Sequence, residues 1–163
     1  MKKEFQGSFT QQEPLAEEAI EAAIKVMRHG RLHRYNVVEN ETSEVALFEQ
    51  DFANKFGAKF CLACASGGYA MTTALRAMGI EFGDKILTNG FTLAPVPGAI
   101  AAAGGEVVFV EVNDDLLIDL NDLERKIISS NSKVLLLSHM RGHICDMDLL
   151  MLLCEKYGVK VVE

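Results

Sequence analysis

The stretch Asp84-KILTNGFTLAPVPGAIAAAGGEVVFVE-Val112 decides the fold. It opens with a short apolar run, Lys85 to Thr88, and closes with a longer one, Val107 to Val112. Between them Ala94 to Ala103 reads as a helix rich in alanine, and Gly104-Gly105 stops it. Neither apolar run alternates with polar residues. A strand buried on both faces reads this way, whereas a half-exposed strand alternates. Strand, helix and strand in that order make a right-handed crossover between parallel strands.

The same rhythm extends outward. Short apolar segments recur at Lys59 to Ala65, Val134 to Ser138 and Val159 to Val162. Helical patterns fill the gaps at Tyr69 to Met78, Asn121 to Ser129 and Met147 to Tyr157. Strands alternating with helices predict an α/β domain in three layers, α/β/α, on a mostly parallel sheet. Upstream, Leu15, Ala19, Ala22, Ala23 and Val26 recur at helical spacing, so Pro14 to His29 is expected to be a helix. Pro14 would stand in its first turn and Gly30 at its stop. A second helix should be capped by Thr42 or Ser43, carry Val45, Phe48, Phe52 and Phe56 in one apolar phase, and end at Gly57. Gly30 to Glu41 shows no periodicity.

Composition narrows the function classes. The chain has 163 residues, 49% hydrophobic and 24% charged, as in globular proteins. Its net charge of -7 argues against a nucleic-acid partner, because phosphate backbones are met by basic stripes, and the cluster from Arg28 to Arg34 is short. No apolar run reaches the ~18 residues of a membrane span. The amino-terminal stretch MKKEFQGSFTQQEP lacks the apolar core of a secretion signal. With no such signal, the four cysteines are expected to be reduced thiols in a cytoplasmic protein.

Chemistry-bearing residues fall at the carboxyl ends of the expected strands, where open parallel sheets bind ligands. Ser66, Gly67 and Gly68 form a turn before a helix. Free N–H groups and the helix dipole there suit a phosphate, and Ser66 adds a hydroxyl; the alternative is a simple tight turn. In Thr88-Asn89-Gly90-Phe91-Thr92, Phe91 could meet a flat ring or pack on the domain. His139 and Arg141 are candidate ligand contacts, and Glu163 ends the last strand. No metal site is expected. Cys61 and Cys64 would point to opposite faces of a strand, and His139, His143 and Cys145 do not share one helical face.

Taken in order, the segments FEQDFANKFG (48–57), CASGGYA (64–70), GDKILTNGFT (83–92), GGEVVFVEV (104–112), IDLNDLE (118–124), LLSHMRGHICDMD (136–148) and YGVKVVE (157–163) resemble the DegT/DnrJ/StrS family of pyridoxal-phosphate (PLP) sugar aminotransferases. The resemblance spans Thr42 to Glu163. It implies the large domain, here incomplete, of a fold-type-I PLP-dependent transferase that works as a homodimer. Residues 1–41 would be the amino-terminal helix and active-site entrance, and residues 42–163 part of the PLP-binding domain.

The resemblance assigns Ser66, Gly67 and Gly68 to the cofactor phosphate and Phe91, Thr92 and Leu93 to the cofactor ring. Two departures stand out. Gly68 occupies a place where many relatives have threonine, and Leu93 one where many have an aromatic. The aspartate that pairs with the ring nitrogen and the catalytic lysine are expected downstream of Glu163, as is the small domain. Lys59, Lys85, Lys133 and Lys160 fall at expected strand starts and do not match that lysine. The implied reaction takes an amino group from glutamate or glutamine to a keto sugar, nucleotide-linked, and the chain alone is expected to be inactive. A PLP-dependent sugar dehydratase relative and a noncatalytic module binding a phosphate ligand or a partner are the alternatives.

Overall fold

The computed structural model describes residues 7, 8, 10 and 12–163. The reading of the first residues as lacking a secretion signal therefore lies outside the described residues. In chain order the elements are α1 (Glu17–His29), α2 (Glu44–Phe56), α3 (Gly67–Ala77), β1 (Lys85–Asn89), α4 (Pro95–Ala103), β2 (Glu106–Val110), α5 (Leu120–Ser130), β3 (Val134–Leu136), a 3-10 turn (Met140–Gly142), α6 (Met147–Tyr157) and β4 (Lys160–Val162). They fall into two compact units, Met1–Ala63 and Cys64–Glu163.

The second unit carries the predicted α/β/α architecture. Its strands run parallel in the order β2-β1-β3-β4. Side chains of neighbouring strand residues point to opposite faces, so each face gathers its own core. Ile86, Val134 and Leu136 pack with Leu75 of α3 and Val96 and Ile100 of α4. Leu87, Val110 and Leu135 pack with Leu123 and Ile127 of α5 and Leu150 and Cys154 of α6. All three residues of β3 are buried, which explains their unbroken apolar run. Burying each such leucine fully is worth about 1.5–3 kcal/mol.

Local chemistry fixes the helix ends. Ser66 Oγ accepts from Tyr69 N, Asp119 Oδ1 from Asn121 N and Asp122 N, and Asp146 Oδ1 from Leu149 N. Gly104 and Gly158 end α4 and α6 in the left-handed region, as Asn131 ends α5.

In the first unit Ser43, rather than Thr42, caps α2, and Gly30 and Gly57 close α1 and α2. Two expectations are corrected. Pro14 is not in the first turn of α1, which starts at Glu17 behind Ala16. In α2 Phe48, Phe52 and Phe56 share one phase, as read, with their rings in contact and exposed, while Glu49 and Ala53 are the buried residues. Residues 59–65 form no strand. A strand exists only through a ladder partner, and among the described residues this segment has none. Its Ala63 N–H goes to the Glu49 carboxylate instead, at 2.6 Å. Lys59 accordingly starts no strand.

Candidate functional site

The strand order sets the place of the site. The chain passes from β1 to β2 on one side and then to β3 on the other, so the order reverses between β1 and β3. Ligands of open parallel sheets sit outside the carboxyl ends of the strands at such a reversal. One side chain bridges that spot. Asn89, 2% exposed at the end of β1, accepts from Ser138 N at 2.9 Å and donates to Ser138 O at 3.1 Å and Phe91 O at 2.9 Å. The loops after β1 and β3 are thus tied together by one amide. The sequence presents Asn89 only as a member of the loop 88–92, because the partner that gives it this role lies 49 residues away.

The predicted turn lies on the α3/α4 side. α3 precedes β1 and runs against it, so its amino terminus stands at the carboxyl edge. Ser66 caps the helix, and its oxygen, while accepting from Tyr69 N, keeps its proton to donate elsewhere. The N–H groups of Gly67 and Gly68 belong to the first turn, where no intrahelical carbonyl can reach them. The helix dipole adds partial positive charge there. α3 and α4 are pinned side by side by Arg76 Nη2 donating to Ala102 O at 2.7 Å and Thr72 Oγ1 donating to Ala99 O at 3.4 Å. A Cβ placed on Gly68 would lie 4.0 Å from Pro95 Cβ. The Ser66 turn and the start of α4 are therefore neighbours, and the loop of Phe91, Thr92 and Leu93 runs into that start. Leu93 is exposed, and Phe91 and Thr92 are half-buried.

Two hydroxyls in this region stand without a partner. Thr88 Oγ1 and Thr92 Oγ1 are buried and make no hydrogen bond. Thr88 lies two residues after Ile86, so it shares the face that α3 and α4 cover. An unmade hydrogen bond from a buried hydroxyl costs about 1–3 kcal/mol, and a polar ligand at the sheet edge would relieve it.

On the far side, Glu163 follows β4 and His139 follows β3. His139 Nε2 and Glu163 Oε2 are 3.0 Å apart, so these two candidates are brought together. Arg141 is exposed, with φ 54, and meets neither of them. His143 Nδ1 lies 3.4 Å from Asp115 O. Among the described residues no three His, Cys, Asp or Glu side chains are placed to hold a metal ion, and no helix is long and apolar enough to cross a membrane.

Comparison with known proteins places this geometry among relatives. A sequence model described as the DegT/DnrJ/EryC1/StrS aminotransferase family matches residues 14–163. The dTDP-3-amino-3,6-dideoxy-alpha-D-galactopyranose transaminase of Aneurinibacillus thermoaerophilus is 37% identical over 121 residues, which cover 74% of this chain and 33% of that protein. The solved structure of DesV from S. venezuelae, in complex with a ketimine intermediate, superposes with a TM-score of 0.77 at 30% identity, covering 90% of this chain and 38% of that one. The structure of 3-amino-5-hydroxybenzoic acid synthase gives a TM-score of 0.81 at 26% identity, covering 93% and 38%. The chain thus spans between 33% and 38% of the length of these relatives.

Proposed function

The chain belongs to the DegT/DnrJ/EryC1/StrS aminotransferase family, and from that premise we propose that its residues 42–163 are part of the cofactor-binding domain of a pyridoxal-phosphate-dependent sugar transaminase. The whole enzyme takes an amino group from glutamate or glutamine and delivers it to a keto sugar, nucleotide-linked, and acts as a homodimer. The dTDP-sugar transaminase among its relatives supports that substrate class.

The observation that carries this reading is the open first turn of α3 beside two buried, unpartnered threonine hydroxyls. Bound there, the cofactor would carry the amino group and its ring would serve as an electron sink. The chain's part is binding and orientation. Gly67 and Gly68 offer N–H groups and Ser66 a hydroxyl to a phosphate. With glycine at 68, backbone donors replace a side-chain hydroxyl at that place. Thr88 and Thr92 offer two further hydroxyls, and Phe91 and Leu93 offer apolar surface to a ring. His139 holds the Glu163 carboxylate at the carboxyl edge.

The lysines of the second unit support assigning binding, not turnover, to this chain. Lys85 and Lys160 start β1 and β4, and Lys133 precedes β3. Lys126 and Lys156 lie in the later turns of α5 and α6, which return toward the amino edge of the sheet. All five therefore stand away from the loops that form the site. The 163-residue chain alone binds the cofactor without completing amino transfer.

The test is a titration of the chain with pyridoxal phosphate, followed by absorbance. Gly68→Asp, at a position with room for a side chain, should weaken binding about tenfold, roughly 1.4 kcal/mol. Binding of pyridoxal, which lacks the phosphate, should be weak and indifferent to the substitution. Equal binding of the two compounds, or no effect of Gly68→Asp on the phosphate form, would remove the turn from the site.

A further inference from the structure

The sheet forks at its carboxyl edge. β1 pairs with β2 as far as Asn89 and Val110, and Gly90 N prolongs the pairing by donating to Val110 O at 2.9 Å. β3 pairs with β4 as far as Leu136 and Val162, and Leu137 N then donates to Val162 O at 2.8 Å. The register between the two pairs is shorter: β1 meets β3 at Ile86 and Val134 and at Leu87 and Leu135, and ends there. Beyond that point each strand follows its outer neighbour, and a cleft opens between β1 and β3.

Asn89 spans the base of that cleft. With the register continued it would stand opposite Leu137, and its side chain reaches one residue further. There it accepts from Ser138 N and donates to Ser138 O, both backbone groups of one residue, as a neighbouring strand would. A side-chain amide carries the donor and acceptor of a peptide group and can take its place. The same nitrogen also donates to Phe91 O. All these partners are backbone atoms, so the amide fixes the course of both loops whatever side chains they carry. Thr88, the residue before it, is 0% exposed and its hydroxyl has no partner, so an unused donor stands beside the cleft.

We propose that Asn89 is a positioning residue that sets the width of the slot between the loops after β1 and β3, and so where a flat ring rests against Phe91, Thr92 and Leu93. The proposal rests on the cofactor reading above and deepens it at the ring end. The phosphate end belongs to the turn of Ser66, Gly67 and Gly68, whereas the hydrogen bonds of the Asn89 amide go to Phe91 and Ser138.

Asn89→Asp tests it in the full 163-residue chain. The aspartate keeps an oxygen for Ser138 N and turns a second one on the carbonyls of Phe91 and Ser138, so the loops are pushed apart. Each protein is titrated with pyridoxal phosphate, followed by absorbance and by circular dichroism in the cofactor band, and with inorganic phosphate as competitor. Pyridoxal phosphate should bind the variant about tenfold more weakly, a difference of about 1.4 kcal/mol, and with a smaller dichroic band. The competition constant of inorganic phosphate should stay that of the parent, which also shows the variant to be folded. Gly68→Asp, by contrast, should weaken both ligands. If Asn89→Asp binds pyridoxal phosphate as the parent does, with the same band, the proposal falls. It falls too if both ligands weaken alike, because the amide then holds the whole site together rather than the ring. Asn89→Gln keeps both donors and the acceptor on a stem one methylene longer, and gives the same pattern should the aspartate prevent folding. Failure of both variants to fold makes the role structural and overturns the proposal. A parent chain that binds no pyridoxal phosphate overturns the cofactor reading and this proposal with it.

Discussion

Glu49 shows how one residue can organise a segment that has no regular structure. It is 9% exposed on α2 and accepts two hydrogen bonds from Arg34, at 2.6 and 2.8 Å, and one from Ala63 N at 2.6 Å. The Arg34 guanidinium first, and then the Ala63 N–H, hold its carboxyl down to about 2 from 4.5. A carboxyl depressed by folding contributes stability that is fully present above its unfolded value, and loses it as pH falls through the folded value. Glu49→Gln should therefore lower the melting temperature at pH 7, and the gap to the parent should close as pH falls from 4.5 toward 2. A gap that stays constant over that window would mean the charge is not what Arg34 and Ala63 recognise. Nothing adjacent in sequence announces this role: Glu49 sits within Phe48-Glu49-Gln50-Asp51-Phe52, and its partners lie 15 and 14 residues away. The candidate site divides in the same way. Ser66, Gly67 and Gly68 were legible because a cap and a glycine turn are local chemistry. Asn89 was named only as part of a loop, because its role exists through contacts with Ser138. The unpartnered hydroxyls of Thr88 and Thr92 emerge only once burial is known.

At the scale of elements, periodicity and end signals carried the reading wherever an element is stabilised by its own sequence and one neighbour. α6 falls at its expected bounds, Met147 to Tyr157, between an aspartate cap and a glycine stop. The failure at residues 59–65 has the opposite cause. An apolar run of seven residues is only a candidate strand, since pairing lies outside it, and here Phe60 and Leu62 remain exposed. The same logic makes caps a good place to probe an element. Asp119 meets two otherwise unpaired donors of α5, at 2.8 and 3.0 Å. Replacing such a cap with alanine costs about 0.5–2 kcal/mol. Asp119→Ala should lose stability within that range in a urea titration, and Asp119→Asn, which keeps an acceptor oxygen, should lose less. Equal losses would show that charge at the helix terminus, rather than the hydrogen bonds, holds α5.

For the whole α/β unit, the sheet is the shared wall of two cores, and β3 shows it most plainly. Leu135 and Leu136 are neighbours in sequence, 0% and 1% exposed, yet one belongs to the α5/α6 core and the other to the α3/α4 core. Truncating a buried leucine to alanine costs about 2–5 kcal/mol, the spread reflecting how far the cavity can close. Both Leu135→Ala and Leu136→Ala should fall in that range. The sharper expectation concerns cooperativity. β3 pairs with β1 on one side and β4 on the other, so neither core can open without unzipping strands that also wall the other. Each variant should therefore unfold in a single guanidinium transition of parental slope, monitored by circular dichroism and by reactivity of the buried thiol of Cys154 in the α5/α6 core. Burial raises that thiol to about 11, so it is inert until the core opens. If in Leu136→Ala the loss of secondary structure ran ahead of Cys154 exposure, the two faces would be separately stable layers. Coincident transitions would mean that a ligand held at the carboxyl edge over the α3/α4 face also stabilises the opposite face through the strands they share.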